Sequence, residues 1–146
     1  MKYRILYFDD EALPSKSMVR NLVNNYSFDI DYVSNVREFI EKLEKESYSL
    51  LVIDVMAPIP DDVEGLGFEK DEISEMEEDE GMNTGVTLAT RVWRMEKYNN
   101  IPVLFLTAKN KFQLPQNGNC SLLRKPQLAK NVAQEINDLL KNNNDE

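Results

Sequence analysis

The chain has no histidine and one cysteine, Cys120, in 146 residues. That excludes a disulfide framework, a Cys/His metal cluster and a nucleophile activated by histidine. Any chemistry falls to carboxylates, Lys, Thr or Ser. Long apolar runs are also missing, so no membrane span or signal core is expected, and the expected location is cytoplasmic. Positive charge is scarce: 17 Lys and Arg stand against 26 Asp and Glu, a net charge of −9. The excess is local, because residues 61–80 hold eleven acids against Lys70 alone, a charge of −10, and leave the rest of the chain at +1. Neither nucleic acid nor an anionic membrane is an expected partner of so little basic surface.

What is present is a core. At 42% apolar the sequence predicts one ordinary globular domain over 1–146. Its central stretch is Leu50-Leu51-Val52-Ile53-Asp54, an apolar run of the kind buried on both faces of a parallel sheet, ending on a carboxylate. Residues 3–8 and 28–33 read as the two strands before it, and 101–106 and 121–123 as two after it. Between them lie helical stripes: Met18, Val19, Leu22, Val23 and Tyr26; then Val36, Phe39, Ile40 and Leu43, behind capping-box-like spacing of Asn35 and Glu38; then Leu88, Ala89, Val92 and Met95. Leu128, Val132, Ala133, Ile136, Leu139 and Leu140 mark a last helix, with a frayed tail expected over 142–146. Trp93 is expected to be packed. Pro115 and Gly118 argue against a full helix between the last two strands.

Strand and helix in alternation predict a five-stranded parallel α/β sheet with helices on both faces. Right-handed crossovers then bring Asp9 and Asp10, Asp54, Thr107 and Lys125 to one edge. An Asp at such an edge is a metal ligand, a nucleophile or a helix cap. Three carboxylates together repel unless a hard cation sits between them, and ligands that are all oxygen point to Mg2+. Lys and Thr beside them suit a phosphoryl group.

Four motifs carry a resemblance: Ile5-Leu6-Tyr7-Phe8-Asp9-Asp10-Glu11, Leu51-Val52-Ile53-Asp54 with Pro58 following, Phe105-Leu106-Thr107-Ala108, and Leu123-Arg124-Lys125-Pro126. In this order they resemble the receiver domain of two-component response regulators. The resemblance implies a flavodoxin-like fold with strand order 2-1-3-4-5 and a phosphoryl-accepting switch fed by a histidine kinase or phosphotransfer protein. Asp54 would be the phosphoacceptor, and Asp10 and Asp54 direct Mg2+ ligands, with Asp9 acting through water and the Met56 carbonyl completing the set. Thr107 would bond the phosphoryl group, and Lys125, before a cis proline, would pair with Asp54. No turnover beyond self-phosphorylation and self-dephosphorylation is implied. A downstream protein would take the output, and the charge of −10 over residues 61–80 suits one with a basic surface.

Three departures stand out. Leu122 occupies the position where the family commonly has the Tyr or Phe of its switch. The fourth helix is expected to be short or degraded. Residues 59–83 form an acidic insertion, stretching the interval from Asp54 to Gly85 to 31 residues. Its charge predicts a solvated loop, although Val63, Leu66, Phe68, Ile73, Met76 and Met82 offer anchors. Excising 61–80 is expected to leave the fold intact. A haloacid dehalogenase-type phosphatase would need an Asp where Met56 stands, and a flavodoxin's phosphate would be repelled by Asp9-Asp10-Glu11. The alternative to a phosphorylated switch is a receiver-like interaction module that no longer uses phosphorylation.

Overall fold

The computed structural model describes residues 3–116 and 118–144. Five parallel strands, β1 (Arg4–Phe8), β2 (Asp29–Val33), β3 (Leu50–Asp54), β4 (Val103–Thr107) and β5 (Cys120–Arg124), form one sheet in the order β2-β1-β3-β4-β5. This is the flavodoxin-like order expected. Each strand alternates its side chains between two layers. Ile5, Tyr7, Leu50, Val52, Leu104 and Leu106 pack under α1 (Ala12–Tyr26) and α5 (Ala129–Asn144). Leu6, Phe8, Leu51, Ile53, Val103 and Phe105 face the other way. Two helices cover them, α2 (Val36–Lys45) and the helix that follows the insertion, α4 (Thr84–Trp93).

The helix stripes are mostly as predicted. In α2, Val36, Phe39, Ile40 and Leu43 are buried, and the Asn35 side chain accepts the Glu38 N–H at 2.9 Å, satisfying one open donor of the first turn. In α1 the stripe is narrower than predicted. Leu22 is buried and Met18 and Val19 pack against the core, but Val23 and Tyr26 are 38% and 40% exposed. Helix α5 runs on to Asn144, so 142–144 are helical rather than frayed; residues 145 and 146, like 1 and 2, lie outside the described residues.

The insertion departs most from expectation. It is not a solvated loop: after a short 3-10 turn (Val63–Gly65) it forms α3 (Lys70–Glu78). Val63, Leu66 and Phe68 are buried, and Met76 fully so, in the same apolar cluster as α2 and α4. Part of its charge is matched as well. Arg94, just past the end of α4, pairs with Glu69 at 3.3 Å and with Glu72, and Arg91 on α4 donates to the Leu66 carbonyl at 2.9 Å. Arg37 on α2 pairs with Asp62. Excision of 61–80 would therefore remove core side chains, and the expectation of an intact fold is corrected on that ground.

Between β4 and β5 the described residues form no helix. Phe112 packs edge-on against Phe105 with centroids 5.8 Å apart, and the Trp93 ring covers Gly118, where a Cβ would come within 2.2 Å of a ring carbon. The Trp93 indole N–H donates to the Ile101 carbonyl at 2.9 Å. Trp93 is thus packed, as expected, and fills space beside a segment without a helix, in line with the expectation that Pro115 and Gly118 argue against a full one.

Candidate functional site

Strand register decides which side chains meet. Phe8 pairs with Ile53, Asp54 with Leu106 and Thr107 with Arg124, so the residues that follow or end these strands emerge along one edge. Asp9 and Asp54 are buried there at 2% and 3% exposure, Thr107 is fully buried, and Asp10 is exposed. One carboxylate oxygen from each of Asp9, Asp10 and Asp54 lies within 4.8 Å of the others. The Lys125 ammonium enters the same pocket, 2.6 Å from Asp9 Oδ2 and 3.2 Å from Asp54 Oδ1.

The backbone holds each of them. Asp9 Oδ1 accepts the Glu11 N–H at 2.9 Å, and the Tyr32 hydroxyl donates to the Asp9 carbonyl at 2.6 Å. Lys125 is fixed by its own N–H on the Thr107 carbonyl at 2.8 Å and precedes a cis Pro126, as the motif implied. The Thr107 Oγ1 accepts the Lys109 N–H at 3.0 Å. Gly85 closes the floor: its N–H donates to the Val55 carbonyl at 2.8 Å, and a Cβ there would stand 2.2 Å from the Asp54 carbonyl oxygen. Only glycine lets α4 begin so close to Asp54. Met56 lies half-buried two residues beyond Asp54, in a bend held by Val55 N–H on Leu106 O at 2.9 Å and Ala57 N–H on Gly81 O at 3.3 Å.

The electrostatics test the fit of a cation. Burial first, then a hydrogen bond with Asp10 and the charge of Asp9, push Asp54 up to about 8, against the opposing pull of Lys125. For Lys125 burial works against the charged form, but the hydrogen bond to Asp9 and the charges of Asp54 and Asp9 outweigh it and raise its pKa. One ammonium therefore does not offset the crowding of three carboxylates, which favours the protonated form of Asp54. A site that binds a proton through crowded oxygen donors, with no nitrogen or sulfur ligand, fits a small hard dication such as Mg2+.

No family model matches the sequence, and no curated protein matches it. Solved structures do. The receiver domain of Francisella response regulator 1452 superposes with a TM-score of 0.67 at 20% identity over 97% of this chain and 99% of that one. A CheY-like response regulator receiver domain protein from Methanospirillum hungatei gives 0.69 at 16% identity, over 97% and 96%. The receiver domain of the hybrid histidine kinase CckA gives 0.64 at 19%, over 94% and 98%. The protein has the receiver-domain fold. Within that fold, the predicted residues Asp9, Asp10, Asp54 and Lys125 come together, Thr107 ends the neighbouring strand, and Leu122 is half-buried on β5.

Sequence reasoning missed the supports. Tyr32 behind Asp9 read only as a strand residue, and Lys109 only as part of a loop. Lys109 also reaches Asn83 Oδ1 with its ammonium at 2.9 Å, a contact between segments 26 residues apart that no local spacing announces. No helix of the described residues is long and apolar enough to cross a membrane.

Proposed function

We propose that this protein is a Mg2+-dependent phosphoryl-accepting switch of a two-component or phosphorelay pathway in the cytoplasm, with Asp54 as acceptor. The observation that carries this reading is Asp54 itself, buried at the carboxyl edge of a receiver-fold sheet between Lys125 and two further carboxylates. The donor would be phosphohistidine on a histidine kinase or phosphotransfer protein, and a separate protein would read the product.

In the forward step a carboxylate oxygen of Asp54 attacks phosphorus. A P–O bond forms, the P–N bond to the donor imidazole breaks, and the departing nitrogen takes a proton from solvent. No electrons change hands. The ionised form of Asp54 is the nucleophile, and the Lys125 charge 3.2 Å away favours it. Mg2+, when bound by Asp10, Asp54 and the Met56 carbonyl, would supply positive charge to the phosphoryl oxygens. Asp9, which already accepts from the Glu11 N–H and pairs with Lys125, would act on the cation through water. Thr107 would turn its hydroxyl to donate to a phosphoryl oxygen. Hydrolysis by water later breaks the acyl phosphate and restores Asp54. A cavity of about 610 Å³ between α1 and α5, bordered by Met18, Lys125, Pro126 and Leu128, opens beside Asp9 and leaves room for an approaching donor.

The test is transfer from a labelled phosphohistidine-bearing phosphotransfer domain. Label should pass to wild type in Mg2+ and not to Asp54→Asn. Equal labelling of both would overturn the assignment.

A further inference from the structure

Thr107 is linked to the insertion by three hydrogen bonds and the Lys109 side chain between them. Its Oγ1 accepts the Lys109 N–H at 3.0 Å; the Lys109 ammonium donates to Asn83 Oδ1 at 2.9 Å; Asn83 Nδ2 donates to Asp79 Oδ2 at 3.3 Å. Asp79 is the residue that ends α3, and Asn83 the one that starts α4. Lys109 has little freedom between these anchors, because Arg124 also donates to its carbonyl and to that of Asn110. The turn it reaches is tight. Gly81 sits at φ 82, where a Cβ would meet the Ala57 carbonyl at 2.7 Å, and its N–H donates to Asp79 Oδ1 at 3.1 Å.

We infer that Lys109 and Asn83 are positioning residues that couple the Thr107 hydroxyl to the end of the insertion helix, so that the insertion reads the state of the site. The inference rests on Asp54 being the phosphorylated carboxylate. In the state described here the Thr107 oxygen serves as acceptor for Lys109. Rotation about the Thr107 Cα–Cβ bond that swings Oγ1 toward a group on Asp54 carries that acceptor away, and the Lys109 backbone must follow or lose the bond. The ammonium of the same residue carries the change to Asn83, and Asn83 to Asp79. Leu122 has no hydroxyl or ring to follow Thr107, so this route does not need an aromatic partner on β5. Coupling of this kind is reciprocal: a partner gripping α3 would in turn alter the site.

The experiment measures amide hydrogen exchange at Gly81 and Met82, whose N–H groups donate to Met76 O and Asp79 O. Beryllofluoride with Mg2+ should change exchange there by about five-fold or more, the low end of measured couplings between sites. Lys109→Met and Asn83→Ala should abolish that response while 19F NMR shows beryllofluoride still bound, and Lys109→Arg should restore part of it. A second arm needs no ligand. Thr107→Val removes the acceptor and should change the same amides in an otherwise wild-type chain, but not in a Lys109→Met background; Thr107→Ser should not. If beryllofluoride fails to bind, the phosphoacceptor reading falls and the inference with it. If it binds and Gly81 and Met82 do not respond, or respond equally in Lys109→Met, the coupling alone is refuted.

Discussion

Replacing Met76 by Ala distinguishes an insertion built into the core from one that merely hangs on it. Met76 is fully buried in the cluster shared by α2, α4 and the sheet, inside a segment of charge −10. Truncating a buried Met loses transfer free energy and leaves a cavity, together about 2–5 kcal/mol. For a domain of this size each kcal/mol moves the melting midpoint by about 2–4 °C, so a loss of about 3 kcal/mol lowers it by about 6–12 °C. Met82, 42% exposed in the same segment, is the control, and Met82→Ala should stay within about 0.5 kcal/mol. Urea unfolding and calorimetry of both variants give the comparison, with the urea slope showing that the transition remains two-state. A Met76→Ala protein as stable as Met82→Ala would mean that α3 contributes nothing to the core, and the packing argument would fail.

Two further outcomes follow from the pocket. Asp10→Ala should weaken Mg2+ binding far more than Asp9→Ala, since only the former removes an oxygen proposed to touch the metal directly, and it should raise the metal-free melting temperature by relieving repulsion; equal metal affinity in wild type and Asp10→Ala would place the cation elsewhere. Without metal, Asp54 should titrate near 8 by carboxyl 13C NMR, raised by burial, Asp10 and Asp9. A folded-state pKa above the unfolded one means that the native state binds the extra proton, so this group's contribution to stability is full below the ordinary carboxylate pKa and is lost as pH rises toward 8. Asp54→Asn should remove that part of the slope, and a metal-free midpoint for Asp54 near the ordinary carboxylate value would contradict it.

The sheet was legible because a strand buried on both faces has to be apolar throughout, and 50–53 and 103–106 are. The site was legible for a related reason: a carboxylate directly after such a run has nowhere to be but the sheet edge. The insertion was misread because its composition describes its solvent face. Its apolar residues, Val63, Leu66, Phe68 and Met76, follow no single period, and the cations that hold it, Arg37 on α2, Arg91 on α4 and Arg94 just after α4, lie elsewhere in the chain. Pro115 and Gly118 correctly argue against a full helix before β5, and the close packing of the Trp93 ring on Gly118 adds what no local pattern announces. The role of Gly118 became visible only with the tertiary contact.

The central claim is that Asp54 accepts a phosphoryl group, and intact-protein mass spectrometry after incubation with acetyl phosphate tests it most directly. Wild type should gain the mass of one phosphoryl group in Mg2+ and lose the adduct when EDTA is present from the start, while Asp54→Ala gains none. Absence of a Mg2+-dependent adduct in wild type, or an equal adduct in Asp54→Ala, would contradict the account.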